Sequence, residues 1–127
     1  MPEISMPEMH EVDILVVEDS GLVARAIEMM LVDLGYRVVG PVPTSEAALQ
    51  ILSEQTPRAA LLDLYLEDST SQAVASALME RQIPFALLTG RLGPAPGALS
   101  EAPVLTKPVD RRTLAETLAS LCGQHVR

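Results

Sequence analysis

With 127 residues the chain has room for one hydrophobic core and too little length for a second folded module beside it. A formal net charge of -8, with aromatic residues at 2% and no Trp, argues against nucleic acid or an anionic membrane as partner, since those need clustered Lys and Arg or flat stacking side chains. A single cysteine, Cys122, rules out an internal disulfide and a cysteine-based zinc site, and fits a reducing cytoplasm.

Residues 1–10 hold Pro2, Glu3, Pro7 and Glu8 without an apolar run, so they are expected to be a flexible tail and neither a secretory signal nor an anchor. No stretch approaches the roughly 20 apolar residues of a membrane span. Residues 12–17, apolar except for Asp13, form the first predicted strand. Ser20 then caps a helix in which Leu22, Val23, Ala26, Ile27, Met30, Leu31 and Leu34 recur at helical spacing, and Gly35 ends it. A second strand over residues 36–39 is closed by Gly40-Pro41, after which Thr44 opens a helix with Ala47, Ala48, Ile51 and Leu52 inward. Pro57 turns the chain out of that helix. The third strand covers residues 59–62, and Ser69 or Thr70 caps a helix carrying Val74, Ala77 and Leu78 inward. Residues 85–88 form the fourth strand. Between Thr89 and Val104, closely spaced Gly and Pro permit only a short or irregular helix. Residues 104–106 form the fifth strand, and Asp110 caps a last helix with Leu114, Leu118 and Leu121 inward, ended by Gly123.

Alternation of strand and helix implies an α/β domain with a parallel sheet, right-handed crossovers and helices on both faces. In such sheets the ligand site lies beyond the carboxyl ends of the strands. There the chain offers Glu18-Asp19, Asp63, Thr89 and Lys107, one set of polar groups per apolar run. If the first and third strands are neighbours, three carboxylates about 5 Å apart repel by roughly 3 kcal/mol per pair at an effective dielectric near 20. Positive charge must compensate them. Carboxylate oxygens with room for water suit Mg²⁺, and Lys107 adds a fixed ammonium. Each residue alone has an ordinary reading, as a cap, a solvated loop or a Lys-Pro turn; their joint occurrence at four strand ends is what points to a site.

From Asp13 to about Leu121 the chain resembles the receiver domains of two-component response regulators, of the stand-alone, single-domain type. The resemblance is carried by Val16-Val17-Glu18-Asp19-Ser20, Leu61-Leu62-Asp63, Thr89-Gly90 and Leu105-Thr106-Lys107-Pro108. It implies a flavodoxin-like, doubly wound, three-layer fold with five parallel strands in the order 2-1-3-4-5. The receiver domain would span residues 11–123, between a tail at 1–10 and another at 124–127. It further implies that Asp63 accepts a phosphoryl group from a histidine kinase or histidine phosphotransferase. Asp19, Asp63 and the backbone carbonyl of Tyr65 would ligate Mg²⁺, with Glu18 acting through water. Thr89 and Lys107 would contact the phosphoryl group, Pro108 would follow a cis bond, and the bulk of Tyr65 and Arg91 would tune the lifetime of the acyl phosphate. The output would be a changed interaction with a downstream protein, in the cytoplasm, without enzymatic turnover.

The chain departs from the family pattern where it carries Val104 in place of an aromatic, and Leu66-Glu67-Asp68-Ser69 after the phosphoacceptor loop in place of Met-Pro-Gly. With no aromatic to move, the segment 91–102 is expected to be the moving part of the switch. Val104 also keeps open a phosphorylation-independent, receiver-like binding module. An Mg²⁺-dependent aspartyl phosphatase is less well matched, because Asp63-Leu64-Tyr65 has Tyr where the general acid would stand. A flavin carrier is excluded, since Glu18-Asp19 would repel its phosphate.

Overall fold

The structure is a computed structural model that describes residues 12–66, 71–90 and 101–123. Five parallel strands form one sheet: β1 (Asp13–Val17), β2 (Arg37–Val42), β3 (Ala59–Asp63), β4 (Phe85–Thr89) and β5 (Val104–Thr106). Their order is β2-β1-β3-β4-β5, with β1 in contact with both β2 and β3. Chain direction across the sheet therefore reverses at β1, and a crevice opens there at the carboxyl ends of β1 and β3. The helices among the described residues are α1 (Gly21–Asp33), α2 (Ser45–Glu54), α3 (Gln72–Glu80) and α4 (Arg111–Leu121).

Side chains of a strand alternate between faces, and both faces here are covered. Leu15, Val17, Leu62 and Leu87 pack on one side with Leu52 of α2 and Val74 and Leu78 of α3. On the other, Ile14, Val16, Leu61 and Leu88 pack with Ile27 and Leu31 of α1 and Leu114 and Leu118 of α4. This is why β3 and β4 are buried at all five positions and read as unbroken apolar runs. The edge strands β2 and β5 are only partly buried.

Three predicted caps are present. Oxygens of Ser20, Thr44 and Asp110 accept the amides of Val23, Ala47 and Thr113, satisfying donors the first turn leaves open. The hydrogen bond from Thr113 holds the Asp110 carboxyl below its usual range. Two predicted features are corrected. Gly40-Pro41 does not close β2: the strand runs on to Val42, and the pairing with β1 shifts between Leu15 and Val17, so β2 accommodates an extra residue. An edge strand tolerates a proline because only one side of it pairs. The helix expected to start from Ser69 or Thr70 begins at Gln72 instead, with Ser71 at its N-cap making no side-chain cap bond. Ser71 is fully buried and its hydroxyl donates to the carbonyl of Leu64 at 2.8 Å. The two predicted capping residues themselves, the tails at 1–10 and 124–127, and most of the segment between β4 and β5, including its expected short helix, lie outside the described residues.

The C-terminal end of α3 turns through Gln82 at φ 59, a left-handed conformation, while the amide of Ile83 returns to the carbonyl of Leu78 at 2.9 Å. A helix exit of this form favours glycine, because a Cβ is crowded in that conformation. Replacement of Gln82 by Gly is expected to stabilise the protein by about 1 kcal/mol in urea denaturation with an unchanged m-value.

Candidate phosphoacceptor site

Each side chain of the site stands where an apolar strand ends. β1 finishes at Val17 and delivers Glu18 and Asp19; β3 finishes on Asp63; β4 finishes on Thr89; and Lys107 follows β5 directly. Parallel register brings these ends level: Val17 lies beside Leu62, Asp63 beside Leu88, and Thr89 beside Thr106. The amide of Lys107 donates to the carbonyl of Thr89 at 2.8 Å, fixing the start of the lysine loop against β4.

The expected convergence occurs. Glu18, Asp19 and Asp63 each bring a carboxylate oxygen within 4.8 Å of the others. Glu18 and Asp63 are buried, whereas Asp19 is half-buried. Nζ of Lys107 lies 2.8 Å from Oε1 of Glu18 and 3.3 Å from Oδ2 of Asp63, so one ammonium bridges two carboxylates. The remaining oxygens have main-chain donors: Oε2 of Glu18 accepts the amide of Ser20 at 3.0 Å, and Oδ1 of Asp63 accepts the amide of Tyr65 at 3.1 Å.

Electrostatics follow from that geometry. Burial first, and then the neighbouring Glu18 carboxylate, push the Asp63 carboxyl up to about 6, against the lowering effect of the Tyr65 amide and Lys107. Burial works against the charge of Lys107, but the carboxylates of Glu18 and Asp63 outweigh it and hold the ammonium above its ordinary range. The cluster is thus richer in negative charge than its own lysine can balance. Its donors are hard carboxylate oxygens from Glu18, Asp19 and Asp63, a set suited to a small divalent cation such as Mg²⁺.

Thr89 is buried at the adjacent strand end, and the Lys107-Pro108 bond is cis, as expected. Tyr65 is exposed beside Asp63, and Arg91 lies outside the described residues. Sequence reasoning missed Ser71, which ties the loop after Asp63 to α3; three consecutive hydroxyl residues, Ser69 to Ser71, gave no signal for singling it out. It also took Gly40-Pro41 for a simple stop, although the carbonyl of Val42 beyond it receives the amide of Glu18 at 3.0 Å.

No family model matches the chain. The phyllosphere-induced regulator PhyR of Methylorubrum extorquens is 34% identical over 80 residues, 61% of this chain. The chain spans only 30% of the length of that curated relative. Among solved structures, SdrG from Pseudomonas melonis Fr1, determined in its BeF3-activated conformation, is 36% identical with a TM-score of 0.75, covering 87% of this chain and 96% of SdrG. The receiver domain of the sensor histidine kinase PA1611 from Pseudomonas aeruginosa PAO1, which has a magnesium ion coordinated in its active-site cleft, is 26% identical with a TM-score of 0.77 over 90% of this chain and 99% of that domain. With strand order, the acidic cluster, the bridging lysine and these likenesses in agreement, the chain belongs to the receiver domains of response regulators.

Proposed function

We propose that this receiver is a phosphoacceptor: Asp63 takes a phosphoryl group from the phosphohistidine of a histidine kinase or histidine phosphotransferase, in an Mg²⁺-dependent reaction that alters contacts with a downstream protein. The observation that carries the reading is the burial of Asp63 at the end of β3, within 4.8 Å of two other carboxylates and 3.3 Å from Lys107. The magnesium-bound PA1611 receiver supports the cation, and the BeF3-activated SdrG supports a phosphoryl-driven switch.

Asp19, Asp63 and the Tyr65 carbonyl would hold Mg²⁺ directly. Glu18 is suited to an indirect role through water, since its two oxygens are engaged by Lys107 and the Ser20 amide. When bound, the cation neutralises charge on the phosphoryl oxygens. An Asp63 oxygen forms the bond to phosphorus while the phosphorus–nitrogen bond of the donor breaks, and the electron pair leaves with the imidazole. Lys107 faces the phosphoryl group from the β5 side, and Thr89 recruits one of its oxygens. Hydrolysis returns the carboxylate, at a rate that Tyr65 and Arg91 tune by shading the acyl phosphate. Asp63 is consumed and restored in each cycle, so the chain is a switch in a cytoplasmic phosphorelay and not a turnover enzyme; Tyr65 in place of a general acid tells against an aspartyl phosphatase.

One observation favours a second reading. Val104 is 43% exposed at the start of β5, where the family places a mobile aromatic, and a receiver without that reporter could bind its partner independently of phosphate. Treatment with a small phosphodonor and Mg²⁺, followed by intact mass, separates the two. Native protein is expected to gain one phosphoryl group that hydroxylamine removes, and Asp63→Asn to gain none. Native protein of unaltered mass would establish the binding module.

The raised Asp63 pKa gives a second expectation. Because the folded-state value of about 6 exceeds the ordinary 3.8, the folded protein holds the proton more tightly, and its stability falls as pH rises from about 4 through 6. In Mg²⁺-free buffer Asp63→Asn should therefore be more stable than the native protein at pH 7.5 by about 2 kcal/mol, and the gain should vanish below pH 4. Mg²⁺ should raise the melting temperature of native protein at pH 7.5 and do so less at pH 4.5, where Asp63 is protonated. Equal stabilisation by Mg²⁺ in Asp19→Ala would remove Asp19 from the ligand set.

A further inference from the structure

We infer that Gly40 is a positioning residue for the acidic pair Glu18-Asp19, acting through the bulge in β2; this rests on the reading of those carboxylates as part of a cation site. Leu15 pairs with Val39 and Val17 with Val42, so two steps along β1 are matched by three along β2. The extra residue falls at Gly40-Pro41, and Gly40 has φ +94. A Cβ there would lie 2.8 Å from the Val42 amide nitrogen and 3.2 Å from the Val16 carbonyl oxygen, both backbone atoms that cannot swing aside. Only glycine satisfies both the conformation and the space.

The purpose of the extra residue is visible one position further. It advances β2 so that the carbonyl of Val42 reaches past the end of β1 and accepts the amide of Glu18 at 3.0 Å. That bond holds the backbone of the acidic pair from the β2 side, while the Ser20 amide holds the Glu18 carboxylate from the α1 side. The same stretch places Pro41 and Pro43 in the wall of a cavity of about 340 Å³ that Glu18, Asp19 and Arg25 also line. Filling the Gly40 position with a methyl group displaces Val42 or Val16, and either movement reaches Glu18 directly. Gly40 touches no ligand itself; it sets the geometry of residues that do.

The test is an NMR-detected Mg²⁺ titration of the native protein, Gly40→Ala and Gly35→Ala, with amide exchange read at Glu18. Gly35 is the matched control at the far end of α1, since it too has a positive φ (+96) but nothing within 4 Å of the place an added methyl group would take. Both variants should lose stability, but only Gly40→Ala should bind Mg²⁺ about tenfold more weakly and exchange its Glu18 amide faster. A Gly40→Ala protein with native Mg²⁺ affinity, or one weakened no more than Gly35→Ala, overturns the inference while leaving the cation site standing. Native protein whose Asp19 and Asp63 resonances ignore Mg²⁺ overturns the site itself. Should Gly40→Ala fail to fold, the native titration decides: the Gly40 and Val42 resonances are expected to shift with that of Asp19, and their constancy at saturating Mg²⁺ would refute the coupling.

Discussion

Three carboxylates within 4.8 Å of one another, with one ammonium shared by two of them, impose the constraint on which the rest of the structure depends. At an effective dielectric near 20, like charges at that distance repel by roughly 3 kcal/mol per pair. A loop would relax and disperse them. Here they are anchored to strands that cannot move apart, because β1, β3 and β4 are packed on both faces. Burial and then the neighbouring carboxylate make Asp63 resist ionisation, and the paired carboxylates make Lys107 resist neutralisation. A site under such electrostatic load is one that a divalent cation or a tetrahedral anion can change, since either alters the balance that Lys107 alone leaves incomplete.

Much of this arrangement was legible in the chain. Continuous apolar runs betrayed β3 and β4 because burial on both faces removes the alternation that solvent would impose. Ser20, Thr44 and Asp110 were legible as caps because each works within its own first turn, over a spacing the sequence displays. The site residues could be found because polar groups end four apolar runs together, although each alone has an ordinary reading. The family resemblance then supplied their roles, and the geometry agrees with their convergence.

What stayed hidden depends on contacts distant in sequence. Gly40-Pro41 has the local signature of a turn, yet it lies within β2, where the partner strand's register decides and not the dipeptide. Ser71 sits in a run of hydroxyls, and its partner, the Leu64 carbonyl, is known only once the loop after β3 is folded. The sharing of Lys107 between Glu18 and Asp63 is likewise a matter of three strand ends meeting. In each case the local code was ambiguous and tertiary packing resolved it.

The place of the lysine at the edge of the sheet has an energetic consequence. Asp63 precedes Lys107 by 44 positions, and β1 and β3 are direct neighbours in the sheet. The central strands therefore gather the carboxylates, while the cation that bridges two of them comes from beyond the edge strand β5. β5 is only three residues long and buried only at Leu105, so apolar area gives it little hold on β4. The lysine just beyond it lies 2.8 Å and 3.3 Å from carboxylate oxygens of opposite charge. The last edge of the sheet is consequently held by Coulomb attraction as well as by burial, and salt screens that hold while leaving the packing of the central strands untouched.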